Sequence, residues 1–289
     1  MGTDERDASD SVVEPLAAIR QCLSPQVRPW VIGAARVGHI GVGLAYMLLG
    51  AVAFGASQES GVKAVGFQGA LHRGFENRAG TVLLLVIGFG LLTDGIWQGI
   101  RASLDTEPPG PRWKRYLIRA SWVATGLGHI GLAVAAIKLV FGLNDRGRQG
   151  QLRFWTERIL ALELGEWFLI GAGLVVIVVG TLLICRALVG RIDPSLDLSS
   201  ANRPVRFLAM MLARVGMTAR GGVIVVGGAL LITASVHVNP HEVRGLGGTL
   251  RVIQSQLYGN LLLACVATGL IAYGLFELTR ARFRRISLP

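Results

Sequence analysis

One two-span unit is written three times along this chain, in segments apolar enough to cross a lipid bilayer. The stretch from Val37 to Phe54 returns as Leu127 to Val140 and again as Val215 to Ser235. Its partners, Thr81 to Ile100, Trp167 to Cys185 and Leu257 to Phe276, recur at matching distances. Two of these partners, Trp167 to Cys185 and Leu257 to Phe276, carry no charge at all. About 20 apolar residues at 1.5 Å per residue match a hydrocarbon layer roughly 30 Å thick. The pattern therefore predicts an all-α, polytopic membrane protein with six transmembrane helices. A tandem repeat of spans constrains topology before any single residue is considered.

The repeats align residue by residue. Setting His39 on His129 places Gly38 on Gly128, Gly41 on Gly131 and Ala45 on Ala135, and carries Gly90 onto Gly180. Arg36-Val37-Gly38 falls on Arg214-Val215-Gly216, and after a one-residue gap Gly90 and Gly95 fall on Gly269 and Gly274. Each unit contains two spans, so every copy enters the membrane from the same side. Parallel repeats of this kind are related by an axis along the membrane normal. The expectation is a six-helix bundle with approximate threefold symmetry. Small residues in the first span of each unit (Gly38, Gly41, Gly128, Gly131) let backbones approach, and Gly95 with Gly99 makes another such face. The odd-numbered spans are expected inside, shielded by the bulkier even-numbered ones. The divisions are a polar tail at 1–30 and repeats at 31–104, 105–190 and 191–289, the last with a basic tail. The Pro-rich run at 106–111 and the segment 191–204 serve as linkers.

A net charge of +11 could signal nucleic acid, but the 29 Lys and Arg cluster in segments that flank spans. Eighteen of them fall with the two termini and the second and fourth loops, and nine with the other loops. By the positive-inside rule both termini are expected in the cytoplasm, and no nucleic-acid partner is expected. The first thirty residues have no apolar core of signal-peptide length. Pro15 to Trp30 is compatible with a short amphipathic surface helix or a tethered tail. Trp97, Trp113, Trp122, Trp155 and Trp167 read as interfacial anchors. Cys22, Cys185 and Cys265 are odd in number with no C-x-x-C spacing, which points to inert thiols.

The runs ARVGHIGVGL at 35–44, ARVGMTARGGVIVVGGAL at 213–230 and GLIAYGLFELTRARFRRI at 269–286 resemble bacterial membrane proteins carrying domain of unknown function 1206. That domain is a pair of membrane helices occurring three times per chain. The resemblance covers residues 31 to 286 and is strongest in the third repeat. The second departs most, with Gly126 where the others have Arg36 and Arg214. The resemblance implies the architecture and carries no reaction with it.

Ionisable groups inside spans are costly and mark functional positions. Asp94 is the sharpest, because its counterparts are Ile184 and Tyr273. Arg220, at similar depth, has Val42 as its counterpart. If the third repeat closes against the first, an Asp94–Arg220 ion pair locks that seam; alternatives are Asp94 with Arg36 or His39, or a snorkelling Arg220. His39 and His129 occupy equivalent positions and could ligate a haem axially. Met217 in the third repeat leaves hydrogen-bonded histidines and no cofactor as the favoured reading. Lys138 and Glu166 can pair across the second repeat, while His72, His237 and His241 have no metal-ligand spacing. No nucleotide loop, nucleophile elbow or haem-attachment motif is present. The chain reads as a non-enzymatic membrane protein with a structural, accessory or interaction role, its partners being the bilayer and a further membrane protein. The alternatives are a transporter or channel for a small solute or ion, for which Gly221-Gly222 and Gly227-Gly228 mark a broken span, and a haem-binding redox subunit.

Overall fold

The computed structural model describes residues 28–59, 61–74, 78–103, 112–143, 156–189, 196, 202–237 and 245–283. The tail at 1–27 with Cys22, the linker at 106–111, most of the segment 191–204, Trp155, His241 and the basic end beyond 283 lie outside the described residues. The described chain is helical in α1 (Arg28–Gln58), α2 (Phe67–Gly74), α3 (Arg78–Ser103) and α4 (Arg112–Val140). A short helical segment at 156–160 follows, then α5 (Gly165–Val189), α6 (Arg203–Val236), α7 (Leu246–Gln254) and α8 (Gly259–Phe283). Six of these, α1, α3, α4, α5, α6 and α8, are long and apolar enough to span a membrane. The protein is a multi-pass membrane protein.

Local preference alone would not make these helices. The run Val175-Val176-Ile177-Val178-Val179 in α5 is β-branched, and glycine recurs through every span. In hydrocarbon, however, every backbone N–H and C=O must be satisfied within the segment, which overrides the modest propensity cost. Pro204 at the start of α6 sits where its missing N–H is not needed. The glycine pairs of α6 do not break it; the helix is continuous over 34 residues. One glycine of each pair packs instead: a Cβ on Gly221 would lie 2.7 Å from the Gly180 carbonyl oxygen, and one on Gly228 2.9 Å from that of Gly173.

Neighbouring spans pack in the order α4, α3, α1, α8, α6, α5. Glycine makes these seams close. A Cβ on Gly41 of α1 would sit 2.4 Å from Gly90 Cα of α3, and one on Gly43 2.8 Å from the Gly274 oxygen of α8. Gly95 of α3 meets Gly126 of α4, Gly38 meets the backbone of Asp94, and Gly216 of α6 meets that of Tyr273 in α8. A threefold ring needs a sixth seam, between α4 and α5 within the second repeat. Among the described residues these two helices form no packed seam, and a Cβ on Gly128 would find nothing within 4 Å. The same holds for Gly99, so neither is a packing glycine; Gly131 is half-buried. Among the described residues the six spans form an open arc.

Burial follows position in that arc and not the odd–even rule. Half of the apolar window of α1 and of α8 is buried (50%), against 17% for α4 and α5 at the two ends. Lipid tails solvate apolar helix faces without a protein partner, so an uncovered α5 costs little. Trp97, expected at an interface, is buried in α3, whereas Trp122 is half-buried under the Arg101 guanidinium, 4.2 Å from its ring. Cys185 and Cys265 are unbridged and exposed on their spans.

Candidate functional site

Two histidine–carboxylate pairs join successive repeats at equivalent places. His129 Nδ1 on α4 lies 2.7 Å from Asp94 Oδ2 on α3, and His39 Nδ1 on α1 lies 2.9 Å from Glu277 Oε2 on α8. Each histidine comes from the first span of a repeat, and each carboxylate from the second span of the neighbouring repeat. Asp94 and Glu277 are not equivalent residues. In the alignment, Asp94 matches Tyr273 and Gln98 matches Glu277, so the acid has moved by one helical turn. The polar position left behind still serves the site: Gln98 Nε2 reaches Asp94 Oδ2 at 3.4 Å, and the Tyr273 hydroxyl is a further partner of Glu277. On the third such seam the matching residues are Ile184, Leu188 and Met217, and Met217 packs apolarly with Ala187, Ala213 and Phe276.

Both carboxylates are almost fully buried, at 2% exposure. Buried charges survive only when paired, and these are. Glu277 accepts from Arg280 Nη1 at 2.7 Å as well as meeting His39. Arg220 has a different environment. Its Nη1 donates to the Tyr273 hydroxyl, and its guanidinium faces the rings of Tyr273 and Tyr46 at 4.7 and 5.4 Å. Tyr46 packs edge-on against Tyr273 and Phe67, which holds this aromatic cradle in place.

These groups border a partly open cavity of about 550 Å³. Tyr46 of α1, Arg220 of α6 and His129 of α4 form its deep wall, with Thr125 and Leu132 beside them. Its cap is the starts of the two short helices, Gly66 and Phe67 of α2 and Gly245, Leu246 and Gly247 of α7, with Arg251. The cap is built by close approach: a Cβ on Gly247 would stand 2.5 Å from Gly66 N. Gln254 and Arg251 tie the segment before α2 to α7, through Gln254 Oε1 accepting from Ala64 N and Arg251 Nε donating to Ala64 O, each at 2.9 Å.

Several expectations change on this geometry. The Asp94–Arg220 ion pair is not formed: Asp94 is satisfied by His129 and Gln98, Arg220 by tyrosines, and the two face different surroundings. Arg36 and Arg214 are exposed on their helices and take no part. Glu166 makes no ion pair with Lys138, because the helices that carry them do not pack together. An axial haem pair is not supported by the placement of its two ligands. His129 lines the cavity, whereas His39, 3% exposed, is held within the packing by Glu277. Groups of three or more metal-ligating side chains are absent among the described residues. Reading the sequence singled out Asp94, Arg220, His39 and His129 but missed Glu277, Tyr273, Tyr46, Gln98 and Arg251. The signal for Glu277 was available: it is an acid four residues after the counterpart of Asp94, on the same helix face.

The chain matches the family described as Domain of Unknown Function (DUF1206) three times, over residues 37–105, 120–190 and 215–284. It is 27% identical over 267 residues to the uncharacterized protein YxxB of Bacillus subtilis (strain 168), covering 92% of this chain and 95% of that protein. No solved structure matches.

Proposed function

The chain belongs to the DUF1206 family of triple two-helix repeats, and we propose that it binds and moves a small solute through this cavity. The observation that carries this reading is the cavity itself: about 550 Å³, with Tyr46, Thr125, His129, Arg220 and Arg251 set in an otherwise apolar and glycine lining, within spans drawn together by glycine. An arginine held half-buried within a span is expensive in hydrocarbon and marks a solute path or binding site. The chain sits in a bacterial inner membrane with both termini in the cytoplasm, on the strength of its basic residues at those ends and in the second and fourth loops. That orientation puts α2 and α7 on the outer side, so the cap faces away from the cytoplasm. The role is binding and passage, not catalysis.

Cysteine accessibility tests this. In a chain with Cys22, Cys185 and Cys265 changed to serine, Thr125→Cys and Leu132→Cys are expected to react with a membrane-impermeant methanethiosulfonate reagent. Silence at both positions, with the chain folded, would show a dry interior and remove the solute reading. A second reading, an accessory subunit, draws on the unclosed seam, which leaves Leu127 and Phe168 on α4 and α5 exposed at 64% and 66%. Stoichiometric copurification of one membrane protein, lost when α5 carries polar substitutions, favours it.

A further inference from the structure

The described residues give the cavity positive charge. Among them, Asp and Glu are absent from its lining, while Arg220 and Arg251 both contribute. Arg220 makes its one hydrogen bond to a neutral hydroxyl, and its Nε is buried with no partner. Glu277 is within its electrostatic reach but is already matched by Arg280 and His39. Asp94 sits behind His129 and does not line the space. Arg251 spends its Nε on the Ala64 carbonyl and has no carboxylate partner.

The cap adds to this field. Gly245, the N-cap residue of α7, has no side chain to satisfy the first N–H groups of that helix, and Gly66 stands in the same place before α2. Both residues line the cavity, so two uncapped helix starts face the same space. Each helix start carries a partial positive charge from its first N–H groups. Val65, Phe67, Leu132 and Leu246 make the rest of the wall apolar. A guanidinium with an open donor beside oriented N–H groups suits a carboxylate or phosphate oxygen, and the apolar wall suits a hydrocarbon.

Resting on the cavity reading above, we propose that the ligand is an amphiphilic anion: a carboxylate or phosphate head held by Arg220 under the α2 and α7 starts, and an apolar tail along Phe67 and Leu132. The head group can belong to a membrane lipid or to a soluble organic acid. The α4 wall borders the unclosed seam, which admits the first.

The test uses the full chain in a neutral detergent and in nanodiscs, probed with decanoate, decanol and phosphatidylglycerol. Decanoate is expected to bind saturably and decanol at least tenfold more weakly. Arg220→Gln is expected to weaken decanoate tenfold or more, Arg220→Lys less, and Arg251→Gln about threefold, with thermal unfolding checking that each variant is folded. Phosphatidylglycerol retained through exchange into phosphatidylcholine, and lost in Arg220→Gln, assigns the lipid source; decanoate binding without that retention assigns the soluble one. Equal affinity for decanoate and decanol, or unchanged binding of both anions in Arg220→Gln and Arg251→Gln, overturns the proposal. Thr125→Cys labelling in the same preparation separates the two readings: a reactive cysteine without anion preference sinks only the ligand class, and an unreactive one sinks the cavity.

Discussion

The first and third repeats fold as closed hairpins, and the second does not. In the closed pair, Gly38 presses on the backbone of Asp94 and Gly216 on that of Tyr273. In the second repeat the equivalent residues are Gly128 and Ile184, and Gly128 has open space around it. A glycine therefore does not itself make a seam. What differs is the partner helix: α5 is apolar on every side, with Val175, Val178 and Leu182 each more than half exposed. Lipid serves such a helix as well as protein does, whereas α3 and α8 carry buried acids that demand specific partners.

The largest test of this contrast is to fill the glycines. Gly41→Leu sets a side chain against the Gly90 backbone and is expected to destabilise the bundle by about 3 kcal/mol or more, read as thermal unfolding in detergent. Gly128→Leu, in open space, is expected to change stability by less than about 0.5 kcal/mol. Equal losses would mean that the second hairpin closes as the others do. Glu277→Gln comes next, at about 3 kcal/mol, because Arg280 and His39 lose a buried anion. Asp94→Asn is expected to cost less, about 1 to 2 kcal/mol, since an amide still meets His129 and Gln98. A larger loss at Asp94 than at Glu277 would reverse the ranking of the two polar seams. The smallest effect is a null one: Gly128→Cys with Ile184→Cys should form no disulfide in oxidised membranes, because bridged Cα atoms must lie within about 7 Å. Efficient bridging would break the comparison.

Much of the fold is legible in the residues. Span length and charge-free stretches predict six crossings, and glycine spacing marks Gly38, Gly41 and Gly95 as close-contact positions. The open seam was not legible, because Gly128 looks like Gly38 and only its missing neighbour distinguishes them. The site is half legible. Asp94 and Arg220 stand out as single charges in apolar runs, yet pairing them presumed that opposite charges at equal depth must meet. The one-turn shift from Asp94 to Glu277 gave each acid its own histidine and left Arg220 to tyrosine, which depends on helix rotation that periodicity alone does not fix.

Covalent linkage of the three units has one further consequence. Three identical separate hairpins assembling around an axis would share one kind of contact, so all of their internal seams would be shut or all ajar. Tandem fusion frees each copy to diverge, and a single unit can stand unlatched while the other two hold the assembly together. Among its described spans such a protein acquires one unpacked flank instead of three, and so an asymmetry in the plane of the membrane.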